Sequence, residues 1–389
     1  ADKADAHAES RTMVIEYGRS AYPSPGVPED EYFERPDELE SLVNLFGRAS
    51  RGHAVGGLIE GLRAVGKTDL VLRAIDRHLR AEPSAILVYY SLQPYSLGFF
   101  DFVRSYFNTF IRQYQYSLLR EKFDLQSCVD AWHSESPLCA DCSQPVLREI
   151  CEAMGRAYNQ RDATNTLSLL VNMPHYLAEL QGHRIVVVFD QARYFLQIHH
   201  KKTVVPMLRH IVPNLESPIA PMFLVDSKVA LRTMLGDQVA QERMSIHEVR
   251  PLERMQSLAM LQSLAERQGV ELSVRPAETT VGQLGGIPFY LHSVVRRAHL
   301  NDWSLDTSER FGLAYAEEIR DGTAHWYWRA QFSTQFPNAL DRHRAVELCS
   351  FLALLHPQRA NLARLSQRLN IEPKRLQDLI YRLQLIGVL

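Results

Sequence analysis

A parallel α/β sheet flanked by helices, continued by segments that are helical alone, is the fold class these 389 residues predict. Three observations lead to it. Short apolar runs of strand length recur at 54–60, 85–91, 184–189, 219–225 and 244–249, with helical spacing between them. The run at 184–189 reads Arg-Ile-Val-Val-Val-Phe, continuous in the way a strand buried on both faces must be. After Arg250 the strand signals stop and only helical periodicity remains.

Residues 1–32 are polar and carry Pro23, Pro25, Gly26 and Pro28 close together, which predicts an irregular arm. From Phe33 to Arg48, Leu42, Val43, Leu45 and Phe46 fall on helical spacing behind Pro36 and Asp37, two residues suited to a first helical turn. This helix opens a core spanning 33–250. Between its second and third strand runs lie about 90 largely helical residues, far beyond an ordinary crossover, so about 95–180 reads as an insertion. Helical runs at 252–267, 277–284 and 288–300 predict a small helical domain over 251–335. The last part, 340–389, shows three short helical patterns at 345–355, 362–369 and 373–385. No internal repeat is visible.

Composition narrows the function classes. Hydrophobic residues at 46% and charged residues at 23% exclude wholesale disorder and fibrous repeats. Lys plus Arg is 43 against 45 for Asp plus Glu, a net charge of -2, so any nucleic-acid surface has to be local. Of the five cysteines, four lie between Cys128 and Cys151; a secreted disulfide framework would spread them, and a reducing cytoplasm fits better. No run approaches the roughly 20 apolar residues of a membrane span, so a soluble protein with no membrane partner is expected. The first residue is not Met and the last three are Gly387-Val388-Leu389, so both ends read as trimmed.

The strongest chemical signal follows the first strand run. Gly61-Leu62-Arg63-Ala64-Val65-Gly66-Lys67-Thr68, with Asp69 after it, matches G-x-x-x-x-G-K-[ST] and lies between a strand and a helix, the context this phosphate-binding motif requires. Glycines let successive backbone N–H groups face phosphate oxygens, and the following helix N-terminus adds its positive end. Lys67 is expected on the β- and γ-phosphates and Thr68 on magnesium, making ATP and Mg2+ the predicted cofactors.

Other residues fall into place around that loop. Asp190 ends the most apolar strand, where a carboxylate that holds magnesium through water is expected, or is a strand-end cap. Gln191 stands where ATPases of this kind commonly carry Glu, and an amide cannot accept a proton. Either the chain is a binding-only switch, or the amide replaces a carboxylate and traps bound ATP. Asp226-Ser227 is placed to offer a polar group to the γ-phosphate, or is a plain turn. Gly285-Gly286-Ile287-Pro288 reads as an adenine contact through Gly286 and Pro288, or as an interhelical turn. Arg243 and Arg209 are the candidates for an arginine acting across a subunit boundary.

In this order the pieces resemble the AAA+/STAND side of P-loop ATPases, specifically the archaeal-ATPase-like group related to replication initiators. The resemblance covers about 33–389 and rests on Phe33-Glu34-Arg35-Pro36-Asp37-Glu38-Leu39, the glycine loop, Val186-Val187-Val188-Phe189-Asp190, Arg250-Pro251-Leu252-Glu253, Gly285-Gly286-Ile287-Pro288 and a winged-helix-like end. It implies ATP at the junction of the core and a helical lid, and nucleotide-controlled homo-oligomers. Two departures bear on turnover: Gln191 replaces the usual Glu, and no arginine after Gly285 matches the lid sensor of the initiators.

Two further stretches carry chemistry. Cys128, His133, Cys139 and Cys142, with Cys151 as a spare, are spaced as a compact zinc knuckle; the alternative is free thiols. In 373–385, Leu376, Leu379, Ile380 and Leu383 share one face and leave Lys374, Arg375 and Arg382 outward, as on a recognition helix. Residues 341–389 hold eight Lys/Arg and four Asp/Glu, a local excess of +4. Trp303, Trp326, Tyr327 and Trp328 read as packing, and His199-His200-Lys201-Lys202 as a solvated loop.

The sequence thus predicts an ATP-binding molecular switch that assembles on or regulates duplex DNA or a DNA-bound complex. The alternative is a non-catalytic, ATP-bound adaptor that meets protein partners through its insertion and its C-terminal part.

Overall fold

The computed structural model describes residues 32–82, 84–92, 98–119, 145–201, 203–205, 217–242, 245–355 and 361–387, with single positions between 207 and 215. By its internal contacts the chain divides into two bodies: Ala1–Glu60, Lys67–Asp226 and Leu231–Glu248 form the first; Gly61–Gly66, Ser227–Ala230 and Val249–Leu389 form the second.

In the first body, α1 (Pro36–Ser50) starts at a proline with Asp37 and Glu38 in its first turn, where the helix dipole favours acids. β1 (Gly57–Gly61) runs through the glycine loop into α2 (Lys67–Ala81), and β2 (Ile86–Ser91) follows. The insertion contributes α3 (Phe99–Leu119), α4 (Pro145–Asn159) and α5 (Ala163–Gln181). β3 (Ile185–Asp190) leads into a short 3-10 helix (Ala192–Gln197), then β4 (Met222–Asp226), α6 (Lys228–Glu242) and β5 (Ser245–Val249).

The sheet order is β2-β3-β4-β1-β5. β2 pairs parallel with β3, β3 with β4 and β4 with β1, so the predicted parallel sheet is the one observed. Ile185, Val186, Val187 and Val188 have no exposed surface, which is why β3 reads as an uninterrupted apolar run. One strand, β4, separates the strand entering the glycine loop from the strand ending in Asp190. In register, Glu60 lies beside Asp226, and Val225 beside Asp190, so the carboxyl ends of these strands share one edge. Open parallel sheets bind ligands beyond that edge.

The insertion covers β2 with aromatic side chains. Tyr90 meets Phe102 and Tyr106 of α3 edge-on at ring distances of 6.0 and 5.3 Å, and Tyr106 lies 5.1 Å from Phe189. From the same helix, the Gln113 amide hydrogen bonds to the outer strand. Its Oε1 accepts from Tyr89 N at 2.7 Å and its Nε2 donates to Tyr89 O at 3.1 Å. Gln113 is 1% exposed, so Gln113→Leu leaves a buried N–H and C=O without partners. A loss of about 2–4 kcal/mol is expected from two unsatisfied backbone groups, measured as a lower urea midpoint with an unchanged m-value.

The second body is helical. It holds α7 (Arg254–Gln268), α8 (Val274–Leu284), α9 (Pro288–Leu300), α10 (Ser308–Asp321), α11 (Thr323–Gln335), α12 (Ala339–Leu355), α13 (Leu362–Leu369) and α14 (Pro373–Leu385). The periodicity of the sequence singles out neither α10 nor α11. The buried face of α10 is Phe311, Ala314 and the charged Glu318, while Leu313, Tyr315 and Ile319 are exposed, so its apolar pattern does not follow its burial. Glu318 accepts from Arg297 Nε at 3.2 Å and from Ala324 N at 2.7 Å, which satisfies the buried carboxylate.

The last three helices enclose a small core of Leu348, Leu365, Ile371, Leu376, Leu379 and Leu383. α13 and α14 are joined by Asn370-Ile371-Glu372, with Asn370 in the left-handed region at φ 50°, a helix-turn-helix connection. The expected wing has no counterpart among the described residues there, which include no strand. Among the described residues no helix is long and apolar enough to cross a membrane.

Candidate nucleotide-binding site

The loop from β1 to α2 has the backbone a phosphate site needs. Ala64 at φ 61° and Gly66 at φ 93° are both left-handed, a pattern that turns consecutive N–H groups to one side. Gly66 has open space where a Cβ would stand, whereas a Cβ on Gly61 would lie 2.3 Å from Val249 O, so neither position suits a larger residue. Val65 is fully buried and anchors the loop. Lys67, Thr68 and Asp69 form the first turn of α2.

Asp190 is 3% exposed, and its carboxylate is held from several sides. Thr68 Oγ1 donates to Oδ2 at 2.7 Å, Tyr89 Oη donates to the same oxygen at 2.8 Å, and Gln191 N donates to Oδ1 at 2.7 Å. Burial, with the Asp190 charge and hydrogen bond behind it, holds the Tyr89 phenol well above its ordinary pKa, so it stays a donor. Thr68 and Asp190, expected to serve magnesium, are thus in direct hydrogen-bond contact. The donor set fits a hard cation carrying water and phosphate oxygens.

Gln191 takes a left-handed backbone at φ 55°. Its Nε2 donates to Ser91 Oγ at 3.0 Å, and its Oε1 accepts from Arg193 Nη2 at 3.0 Å. Arg193 was not among the predicted residues. Its Nη1 donates to both Asp226 oxygens, at 3.0 and 3.1 Å, and its backbone N donates to Oδ2 at 2.8 Å. Both residues are 3% exposed. Burial disfavours the guanidinium charge, yet Asp226 and Tyr194 outweigh it and raise the Arg193 pKa. The contact joins residues 33 positions apart in sequence, and no local pattern announces it.

Other predicted positions have structural tasks. Of Asp226-Ser227, expected to offer a polar group to the γ-phosphate or to form a plain turn, Asp226 binds Arg193. Ser227 Oγ accepts from Ala230 N at 3.1 Å, the N-cap of α6. Gly286 O accepts from Leu252 N at 2.8 Å, and a Cβ there would stand 2.1 Å from Leu252 O, so close backbone approach accounts for this glycine. Pro288 opens α9. Arg209, Arg243, Cys128, His133, Cys139 and Cys142 lie outside the described residues. Among the described residues there is no group of three or more His, Cys, Asp or Glu that could hold a metal, and Cys151 is buried in the core of the first body.

Within the second body, Arg63 of the loop reaches α11. Its Nε donates to Tyr327 Oη at 3.0 Å and its Nη2 donates to Gln331 Oε1. Tyr327 packs on Phe289 at 4.9 Å, and Trp328 Nε1 donates to Tyr290 Oη at 2.8 Å, so these aromatic residues pack as expected, while Trp326 is exposed. His199-His200 and Thr203-Val204 form a short antiparallel ribbon rather than a free loop, with His200 packed edge-on against Phe100 at 5.3 Å.

Of the three basic residues assigned to DNA, two are engaged internally. Arg375 Nη2 lies 2.6 Å from Asp341 Oδ1; Arg382 pairs with Asp378 and Asp341, donates to Gln335 O and covers the Phe336 ring at 4.5 Å. Lys374 is exposed, as are Arg364 and Arg368 on α13, one turn apart.

The chain is similar in structure to a Walker-type ATPase of Pyrococcus abyssi, with a TM-score of 0.49, 18% identity and coverage of 94% of this chain and 92% of that one. It is similar to the ORC1 protein of Aeropyrum pernix in complex with DNA, at 0.48 and 14%, over 95% and 87% of the chains. It is also similar to the RuvB Holliday junction branch migration motor of Thermotoga maritima, at 0.41 and 13%, over 94% and 90%. No protein-family model and no curated protein matches the chain.

Proposed function

We propose that the chain is a P-loop ATPase of the AAA+/STAND kind that holds magnesium-ATP as a nucleotide-dependent switch. The observation that carries this reading is the contact of Thr68 Oγ1 with Asp190 Oδ2 at 2.7 Å, beside a complete glycine loop. In this reading the loop N–H groups and Lys67 take the phosphates, and Thr68 and Asp190 hold the ion. Tyr89 and the Gln191 backbone fix the carboxylate before the ion arrives. Bound magnesium would neutralise charge on the phosphates.

Titration with a fluorescent ATP analogue tests this. Asp190→Asn should weaken binding at millimolar magnesium by about tenfold or more and leave magnesium-free binding little changed, since the lost group acts through the ion. Equal affinities of wild type and Asp190→Asn with magnesium would sink the assignment.

A switch requires the two nucleotides to favour different states. The mass of the assembly measured by light scattering should therefore differ between ATP and ADP; identical masses and identical DNA affinities would favour the adaptor reading. For DNA, the exposed cations of the helix-turn-helix support contacts through Arg364, Arg368 and Lys374. Replacing all three by Ala should lower the slope of log K against log salt by about 2–3, because each phosphate contact releases close to one counterion. An unchanged slope would assign the tail to protein partners.

A further inference from the structure

We propose that Arg193 is a positioning residue that withdraws position 191 from base chemistry, so that ATP hydrolysis is suppressed by two residues together. The proposal rests on the reading that the chain binds magnesium-ATP.

The amide of Gln191 has one chemically allowed orientation. Its oxygen faces the Arg193 guanidinium at 3.0 Å, and a flipped amide would set its own N–H groups against those of a cation. Its nitrogen is thereby directed to Ser91 Oγ at 3.0 Å. Arg193 cannot step aside, because Asp226 binds its Nη1 through both oxygens and its backbone N through one, in a site that leaves each side chain 3% exposed. The left-handed backbone of residue 191 belongs to the same construction, since it turns the chain so that Arg193 comes back beneath the side chain two positions earlier.

A carboxylate placed at 191 would meet this guanidinium at ion-pair distance. Held in that ion pair, the carboxylate is not turned toward a water whose proton it would take. The contacts would also hold one carboxylate oxygen on Ser91 and the other on Arg193, so that neither turns freely toward a water. Gln191→Glu by itself should then be a poor hydrolase. Removing both buried charges, with Arg193→Gln and Asp226→Asn, keeps donors and acceptors of similar shape and frees a Glu at 191. In that variant water attacks the γ-phosphorus, its proton passes to the carboxylate, the bond from phosphorus to the bridging oxygen breaks, and ADP leaves with that electron pair.

The test compares wild type, Gln191→Glu, Arg193→Gln/Asp226→Asn and the triple variant, reading magnesium-ATP binding and phosphate release on the same samples. The triple variant is expected to release phosphate about 100-fold faster than wild type, the scale of a positioned general base, and at least about tenfold faster than Gln191→Glu. The gain should lie in the phosphate-release rate at saturating ATP with magnesium-ATP affinity little changed, a split that a purely structural Arg193 would not produce. Equal rates for Gln191→Glu and the triple variant overturn the proposal, as do equal rates with and without Glu at 191 in the Arg193→Gln/Asp226→Asn background. Absence of ATP binding by wild type overturns the underlying reading instead. Should the neutralised pair not fold, Gln191→Glu/Arg193→Lys, which keeps the charge and loses the fork, should still exceed Gln191→Glu; a rate no higher counts against the proposal.

Discussion

Lys67→Ala is expected to reduce magnesium-ATP affinity by at least about 100-fold, the scale of removing a preorganised charged partner from a phosphate site. Lys67 opens α2 directly after Gly66, so in the proposed site its ammonium and the N-terminal N–H groups of the helix would address the same phosphates. Its loss leaves the loop backbone intact, because the left-handed turns at Ala64 and Gly66 and the buried Val65 shape the loop without it. The circular dichroism spectrum and the urea midpoint should therefore match wild type while nucleotide titration fails. A variant that binds ATP within threefold of wild type would remove the phosphate-loop assignment.

Asp226→Ala should be the most damaging single change to stability in the first body. It strands the buried Arg193 guanidinium, whose Nη1 has Asp226 as its acceptor. Removing one member of a buried ion pair costs about 3–5 kcal/mol. That is a large part of the 5–15 kcal/mol by which domains are stable, so unfolding near 37 °C is expected. Asp226→Leu with Arg193→Met removes both charges and should recover most of the loss, since a buried pair is worth little more than well-packed apolar residues. The coupling is read from a double-mutant cycle by urea denaturation; additive losses would show that the two side chains do not act as a pair.

The parts of this architecture legible in the sequence are those whose signals are local. β3 shows as an apolar run because both its faces are covered, and the glycine loop shows because its backbone demands particular residues at particular spacings. α9, α13 and α14 begin and end where periodicity and proline place them. What escaped depends on distant partners. Arg193 is one more arginine in sequence until β4 brings Asp226 beside it. Arg375 and Arg382 look outward on a helical wheel, yet Asp341 on α12 lies within reach of both. Gly286 is also under a demand that the sequence does not show, the close approach of the Leu252 carbonyl. α10 was missed because a buried Glu318 and exposed Leu313 and Ile319 invert the pattern that periodicity reads.

The Gln113 amide makes the two borders of the sheet unequal. At β2 it occupies the hydrogen-bonding groups of Tyr89, and α3 lies over the strand, so an incoming strand finds that border plugged. At β5 the side chains alternate between half-buried and exposed, and Ile246 is 49% exposed. Growth of the sheet by strand addition is thus refused past β2, where a side-chain amide already fills the places that a new strand would take.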